Sequence, residues 1–334
     1  MRKRIKRTAL GVVGGAGLFR AFSSSAWRRR RLVILCYHGI SIADEHEWDP
    51  TLYMSPADFE QRLEILERGG YQVLPLAEAI ERLYKQDLPP RSVAITFDDG
   101  GYDFYLRAWP LLKAYGYPAT VYLTTYYCDD NRPIFDPTAS YLLWKARGKV
   151  LEGGALDLRT PESRRASWQS VLARAQGFSA DDKDRLLRSL AAQAGFDYDE
   201  LLRTRLLHIM NPAEVQELHA AGLDVQLHTH RHRTPDDRAL FLREIRDNRT
   251  RIRELTGIDP DHFCYPCGVN RPEFLPWLEG ELVRYAVTCV PQPASAESKP
   301  LLLPRFVDHA NLSPIEFESC VSGFGLLLPN EASG

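Results

Sequence analysis

The sequence has no apolar stretch long enough to cross a bilayer as a helix, which takes about 20 residues. Its N-terminal apolar run, 8–19, has only twelve residues. Glycine and proline number 22 each among 334 residues, so no collagen-like or low-complexity class arises. The 44% of hydrophobic and 26% of charged residues exclude disorder and a polytopic membrane protein, and indicate a globular chain that can bury a large core.

Cysteine is scarce and dispersed, at positions Cys36, Cys128, Cys264, Cys267, Cys289 and Cys320. A chain this large needs no disulfide framework, so free thiols in a reducing compartment fit better. Cys36 lies inside one apolar run and Cys289 ends another, so we expect both to be buried. Cys264 and Cys267 have the CxxC spacing, but the sequence has no second CxxC, and we expect no structural zinc site.

Acidic residues are absent from the first 31 positions, which contain ten basic residues. The whole chain has a formal net charge of −2, so removing these ten positive charges leaves −12 for the rest. An acidic body is a poor nucleic-acid binder, and we expect no nucleic-acid partner.

The basic segment 1–31 admits three interpretations. Residues 8–19 fit the apolar part of a signal peptide, with small residues at 23–26 after it. Against this, Arg20 and the run 28–31 follow the apolar stretch, and positive charge tends to stay on the cytoplasmic side. The segment also fits a basic surface anchor on an anionic inner leaflet, or a tail without a role. We expect a cytoplasmic protein with peripheral contact to the inner membrane, and export is the alternative.

Short apolar runs alternate with helical patterns along most of the chain. Eight runs predict strands, which start at Leu32, Tyr71, Ser92, Ala119, Asp224, His262, Tyr285 and Leu301. Repeated βα units imply a parallel sheet covered by helices, here a (β/α) barrel of seven or eight strands, incompletely closed. Between about 126 and 210 the alternation fades into a helical insertion. We therefore divide the chain into a basic segment (1–31), a barrel (32–325) and a tail (326–334).

Polar residues directly after the predicted strands are the candidates for chemistry, because barrel enzymes carry their sites at the C-terminal ends of strands. Asp98 and Asp99 follow the strand 92–97, where one carboxylate can hold a cation and the other act as a base. The same Asp-Asp-Gly-Gly sequence is also good turn chemistry. His228 and His232 follow the predicted strand that starts at Asp224. They either bind one metal together or belong to a solvated loop. One aspartate with two histidines makes a three-ligand set with open positions, as catalytic metals require.

These motifs carry a family resemblance. TFDDG at 96–100, followed by HTHRH at 228–232, resembles the first two motifs of the polysaccharide deacetylase family, the NodB-homology domain of carbohydrate esterase family four. YPCG at 265–268 is similar to its third motif. The resemblance extends from about residue 32 to 321. It implies a metal-dependent hydrolase that removes N-acetyl groups from a polysaccharide or a glycolipid-linked sugar.

The resemblance implies a role for each matching residue. Asp99, His228 and His232 would hold one divalent transition metal, expected to be zinc, and Asp98 would be the general base. The family's third motif often has an arginine that orients the base. No arginine precedes Pro266 in this sequence, and Cys267 replaces the usual tyrosine, so the orienting group stays unassigned.

Further roles follow from the same resemblance. The backbone N–H of Cys267 is the expected oxyanion donor. Similarity to the branch of biofilm-glycan deacetylases favours His38, in Tyr37-His38, as the general acid over His309. Tyr265, Tyr126 and Tyr127 are expected to bind the N-acetylated glycan, since sugar faces stack on aromatic rings. The rival functions are hydrolysis of another amide or an O-acetyl ester, and a catalytically silent glycan-binding module.

Overall fold

The computed structural model of the protein describes residues 17–327. Its strands are β1 (Val33–Tyr37), β2 (Gly39–Ile40), β3 (Tyr53–Met54), β4 (Gln72–Val73), β5 (Ser92–Phe97), β6 (Thr120–Leu123), β7 (Val150–Leu151), β8 (Leu156–Asp157), β9 (Asp224–Leu227), β10 (His262–Cys264), β11 (Tyr285–Val287) and β12 (Phe306–Val307). Its α-helices are Leu18–Ser23, Ala26–Arg29, Glu45–Trp48, Pro56–Arg68, Leu76–Lys85, Trp109–Ala114, Tyr126–Asp129, Phe135–Lys145, Pro161–Arg174, Ala180–Ala194, Tyr198–Thr204, Pro212–Ala220, Arg238–Thr256, Phe274–Gly280 and Pro314–Ser322. A π-helical turn, Phe104–Ala108, precedes the helix Trp109–Ala114.

The main sheet is parallel and curls into a half-barrel surrounded by helices. Its strand order is β11-β10-β9-β6-β5-β1-β12, and β4 pairs with the start of β5. A single bridge between Val287 and Leu303 spans the gap between the two edges. The predicted (β/α) barrel with incomplete closure is confirmed.

The central strands are buried on both faces, which explains their uninterrupted apolar runs. The register of β1 with β5 sets Tyr37 beside Phe97. The next residues, His38 and Asp98, therefore lie side by side at the C-terminal edge of the sheet. The backbone N–H of Asp98 donates to the carbonyl of Tyr37 at 2.9 Å, which extends the pairing to this edge.

The helical insertion predicted at about 126–210 forms a body with its own apolar core. It leaves the sheet after β6 and returns before Pro212, where an isolated bridge joins Ile209 to Gly101. Both of its ends are thus attached at the C-terminal edge of the sheet. The hairpin of β7 and β8 inside it has no counterpart in the sequence pattern.

The second half of the basic segment 1–31 packs onto the barrel. Arg28 is fully buried and donates to the carbonyls of Ser92 and Val321 at 3.0 and 3.2 Å. This burial lowers the pKa of Arg28 to about 10. Phe19 is also buried, with its ring 5.4 Å from that of Phe324. Residues 1–16 and 328–334 lie outside the described residues. Among residues 17–327, no helix has the length and apolar character needed to cross a membrane.

Two local predictions are wrong. The run Leu301–Val307 is not one strand, because Pro300 and Pro304 lack amide donors and only the last two residues pair in β12. Cys289 is exposed rather than buried, since β11 ends at Val287 and the chain then turns outward. Cys36 is buried as predicted.

Candidate metal and catalytic site

The predicted site residues meet at one mouth of the half-barrel. His38 follows β1, Asp98 and Asp99 follow β5, and His228 follows β9. Because β1, β5 and β9 belong to one parallel sheet, their C-terminal ends share one edge. Asp99 and His228, which are 129 positions apart in the sequence, therefore lie within contact distance.

Asp99, His228 and His232 converge on one point. The Nε2 atoms of His228 and His232 lie 3.2 and 3.3 Å from Oδ1 of Asp99. The three ligand atoms all lie within 4.8 Å of one another. Oδ1 of Asp99 is buried and makes no hydrogen bond of acceptable geometry within the described part of the chain.

Left-handed backbone brings these side chains together. Asp99, Thr229 and His232 have φ values of 68°, 60° and 56°, which non-glycine residues seldom adopt. Each such residue costs on the order of 1–3 kcal/mol, and this strain is typical of functional sites. Here it turns two rings of one short loop toward the same carboxylate.

The orientation of His228 is fixed from both sides. Its Nδ1 lies 2.9 Å from the carbonyl oxygen of Cys264, so the proton belongs on Nδ1 and the Nε2 lone pair faces Asp99. Its backbone N–H donates to Oδ1 of Asn248 at 2.9 Å. The Asn248 amide in turn donates to the carbonyl of Leu123 and the hydroxyl of Thr125. Asn248 thus holds the ends of β6 and β9 together.

This arrangement fits a divalent transition metal. A carboxylate oxygen and two imidazole nitrogens point lone pairs at one place, where a cation satisfies all three. Burial alone would raise the pKa of Asp99, but positive charge beside it, on His232 and His228 when they are protonated, outweighs burial and holds that pKa well below its usual range. The carboxylate is therefore ionised, as a metal ligand must be.

Asp98 is held by Arg305, which the sequence reasoning missed. The guanidinium donates to both carboxylate oxygens of Asp98, at 2.7 and 2.8 Å. Further donation to Thr96 Oγ1 and the carbonyl of Thr288 fixes the guanidinium itself. Burial would raise the pKa of Asp98, but the charge and hydrogen bonds of Arg305 hold it well below its usual range. The orienting arginine absent from the YPCG motif is thus replaced by Arg305, which directly precedes β12.

His38 lies beside this pair. Its Nε2 is 4.0 Å from Oδ2 of Asp98, and the His38 side chain is 22% exposed. Two buried thiols, Cys36 and Cys264, approach the same Oδ2 at 3.5 and 3.3 Å. Asp98 therefore has a fixed cation and two weak donors on its buried side, with the imidazole facing the mouth.

The three tyrosines predicted to bind the substrate occupy different environments in the structure. Tyr265 is buried in the core and its hydroxyl donates to the carbonyl of Leu301, so it offers no surface to a substrate, which corrects that prediction. Tyr126 is 41% exposed and Tyr127 is partly buried, with the two rings edge to face. Tyr126 also packs edge to face on His230, which places both tyrosines beside the HTHRH loop.

The remaining candidates take clear positions. Cys267 has a left-handed backbone, with a φ of 54°. Burial, and after it the charge of the nearby Asp99, raises the pKa of the Cys267 thiol. His230 faces away from the metal ligands, with Nδ1 2.9 Å from Thr125 Oγ1. His309 donates its backbone N–H to the carboxylate of Asp308, which is also ion-paired with Arg62.

Comparison with known proteins decides the family. A family model described as polysaccharide deacetylase matches residues 85–278, more than half of the chain. The chain belongs to the polysaccharide deacetylase family. The matched range contains β5, β9 and β10, which carry the DD, HTHRH and YPCG motifs of this deacetylase family. His38 and Arg305 lie outside the matched range.

Curated members of the family match over shorter stretches. The chain is 37% identical over 105 residues to the putative polysaccharide deacetylase YxkH of Bacillus subtilis, which is 30% of this chain and 36% of that protein. It is 28% identical over 95 residues to the poly-beta-1,6-N-acetyl-D-glucosamine N-deacetylase of Escherichia coli, 28% of this chain and 14% of that protein. The chain thus spans about a third or less of these relatives.

Two solved structures, one of them a deacetylase, share the fold. The deacetylase PplD of Streptococcus pyogenes, in complex with acetate, superposes with a TM-score of 0.59 at 21% identity, covering 87% of this chain and 98% of that one. IcaB from Ammonifex degensii gives a TM-score of 0.55 at 17% identity, covering 87% and 97%.

Proposed function

We propose that this protein is a metal-dependent hydrolase that removes N-acetyl groups from a glycan. The observation that carries the proposal is the Asp99, His228 and His232 set beside the paired Asp98 and the open His38, all at one mouth. Family membership supports the reaction class. The names of the curated relatives support a polymer of N-acetylglucosamine as the substrate, with a glycolipid-linked sugar as the other carrier.

Asp99, His228 and His232 would hold the metal, which we propose to be zinc. Their oxygen and nitrogen donors suit zinc and leave open positions. When bound, such an ion lowers the pKa of a water to about 7 and polarises a carbonyl oxygen.

Asp98 would take the proton of the attacking water. Arg305 keeps the carboxylate ionised and aims it, so the base is always in its accepting form. A carboxylate with a lowered pKa is a weak base, which is sufficient only against an acidified water. The general base and the metal ligands are therefore matched, since neither is effective without the other.

His38, when protonated, would give its proton to the departing amine. Its Nε2 lies 4.0 Å from Oδ2 of Asp98, and its side chain is partly exposed at the mouth. The backbone N–H of Cys267 would donate to the oxygen of the tetrahedral centre, a role that needs no particular side chain. Tyr126 and Tyr127 would stack on sugar faces beside the site.

The test is acetate release from N-acetylglucosamine oligomers by the zinc-loaded protein. Asp98→Asn is expected to keep the metal and lose at least a hundredfold in kcat. His38→Ala should lose at least tenfold, and His309→Ala serves as its control with unchanged kcat. Turnover retained in Asp98→Asn would remove the base assignment. Acetate released only from O-acetyl esters or small amides would show that one of these, and not an N-acetylated glycan, is the substrate. Glycan binding without any release would make the protein a silent binding module.

We also propose that the basic segment places the protein in the cytoplasm against an anionic inner leaflet. Arg20, Arg29 and Arg30 are exposed and precede β1, so they lie at the end of the barrel opposite the catalytic mouth. Each basic residue near such a surface is worth about 1 kcal/mol.

Vesicle sedimentation tests the proposed contact with an anionic membrane surface. The full chain should pellet with phosphatidylglycerol vesicles and not with phosphatidylcholine vesicles. Changing Arg20, Arg29 and Arg30 to Glu should release it, whereas Arg243→Glu, on another face, should not. Equal binding of both variants would refute the proposed surface.

A further inference from the structure

The helical insertion packs against the segment that follows His38. This segment, 39–54, contains β2, the short helix Glu45–Trp48 and β3, and we name it the His38 loop. β2 and β3 pair in parallel, with Gly39 opposite Tyr53. The loop is therefore closed at its base, directly beside the histidine.

His38 lacks hydrogen bonds that would fix its ring. Its Nδ1 is buried and has no hydrogen-bond partner among residues 17–327. Its Nε2 comes no closer than 4.0 Å to the carboxylate of Asp98. The position of the ring consequently depends on the backbone that carries it and on what holds that backbone.

Tight packing links that backbone to the loop. A Cβ atom added at Gly39 would lie 2.3 Å from the Tyr53 ring, so this ring rests directly on the residue after His38. Trp48 packs against Tyr53 with ring centroids 5.7 Å apart. On its other side, Trp48 meets Tyr141 of the insertion edge to face at 5.6 Å.

Asp44 forms the polar half of the same contact. Its carboxylate accepts from the hydroxyl of Tyr141 at 2.5 Å and from the ammonium of Lys145 at 2.6 Å. The Lys145 ammonium in turn lies 5.4–5.6 Å from the ring centroids of Tyr141, Trp144 and Phe196. An ion pair inside an aromatic cage is held more firmly than an ordinary surface pair.

The His38 loop is stiff between these two ends. Ile40 donates its backbone N–H to Asp103 at 2.6 Å. The carboxylate of Glu45 is buried and accepts from the N–H groups of Ile42 and Ala43 at 3.0 and 2.7 Å. A displacement at Asp44 is therefore passed to His38 rather than absorbed within the loop.

We infer that Tyr141 and Lys145 are positioning residues for His38, so that the insertion sets the placement of the general acid through Asp44 and Trp48. The inference rests on the proposed function, since it takes His38 as the proton donor. The insertion is then a part of the catalytic apparatus rather than an addition outside the barrel.

The test compares two ion pairs of the insertion. Lys145→Met breaks the contact with the His38 loop. Arg174→Met breaks the pair of Arg174 with Glu152, which is also two-pronged at 2.7 and 3.0 Å but does not touch the loop. Lys145→Met should lower kcat about tenfold or more with KM unchanged, since a shift of about 1 Å can cost about a hundredfold. Arg174→Met should leave kcat within twofold. Tyr141→Phe, which keeps the ring, should lower kcat several-fold.

A double-mutant cycle with His38→Ala separates the possibilities. If Lys145 acts through His38, adding Lys145→Met to His38→Ala lowers the residual kcat by less than twofold. An equal fall in both backgrounds would overturn the inference and leave the proposed function intact. A fall of kcat in Arg174→Met as large as in Lys145→Met would overturn it as well. If His38→Ala alone retains full activity, the general acid of the proposed function is wrong.

Discussion

Arg305 and Asp98 form a bidentate ion pair that is closed off from solvent, with side chains 0% and 4% exposed. The two residues are 207 positions apart in the sequence; Asp98 directly follows β5 and Arg305 directly precedes β12. All three guanidinium nitrogens of Arg305 donate hydrogen bonds, two of them to Asp98. This leaves the Asp98 carboxylate ionised and in a single orientation. The same pair therefore contributes to folding and, under the proposed function, to catalysis.

Replacing Arg305 by Met should destabilise the fold by about 3–5 kcal/mol, because it leaves the buried Asp98 charge without a partner. Adding Asp98→Leu should recover most of that loss, since an apolar pair carries no desolvation penalty. Urea unfolding of both variants measures the difference. Arg305→Lys keeps the charge but not the two-pronged geometry, and we expect kcat to fall tenfold to a hundredfold. Full activity in Arg305→Lys would show that the charge alone is sufficient.

Metal content should depend on two histidines of the HTHRH loop and not on the third. His232→Ala and Asp99→Ala each remove a ligand and should leave less than a tenth of the wild-type metal after dialysis. His230→Ala is the matched control, because His230 bonds to Thr125 instead. Metal analysis with and without a chelator provides the measurement. Metal retained in His232→Ala would exclude the three-ligand site.

The fold could be predicted because the strands of a parallel sheet are buried on both faces and leave plain apolar runs. Ser92–Phe97 and Asp224–Leu227 match the predicted strands residue for residue. Asn211 and Glu214 form a capping box at the start of the helix Pro212–Ala220, a pattern that is visible in a sequence. Pairs such as β2 with β3 escaped prediction because two residues carry no period, and their pairing depends on tertiary contacts.

The proposed metal ligands could be singled out because they stand in short motifs, whereas their supporting residues stand alone. Arg305 had a signal, a charge inside the apolar run 301–307. Asn248 had one too, since it occupies the same helix face as Phe241, Ile245 and Ile252, where an apolar residue is expected. Tyr265 shows the converse, because a motif position carries no information on whether its side chain points to the core or to the mouth.

Asn248→Leu should weaken both the fold and the metal site. The change leaves the His228 N–H and the Leu123 carbonyl without their partners, at about 1–3 kcal/mol for each buried group. Loss of such a supporting bond also costs about tenfold to a hundredfold in metal affinity. Ile252→Val on the same helix face is the control, with about 0.5–1.5 kcal/mol lost and the metal affinity unchanged. Equal metal affinities in the two variants would contradict the supporting role of Asn248.

Asp103 supplies a pH dependence of stability. The side chain is buried and accepts from the backbone N–H of Ile40 at 2.6 Å. Burial is the main cause that raises its pKa from 3.8 to about 8. The hydrogen bond from Ile40 opposes this rise, and the neighbouring Glu45 adds to it. Between these two values the folded protein holds a proton on Asp103 that the unfolded chain has released.

Stability from this group is therefore complete below about pH 4 and is lost as the pH rises toward about 8. The slope reaches about 1.4 kcal/mol per pH unit, because one proton is released on unfolding. Asp103→Asn keeps an acceptor for Ile40 but cannot ionise, so its free energy of unfolding should lack this slope and exceed that of the wild type at pH 8. Urea unfolding at pH 5, 6.5 and 8 measures the slope, and Asp87→Asn on the exposed surface should retain it. A slope in Asp103→Asn equal to that of the wild type would mean that Asp103 is already ionised in the folded state.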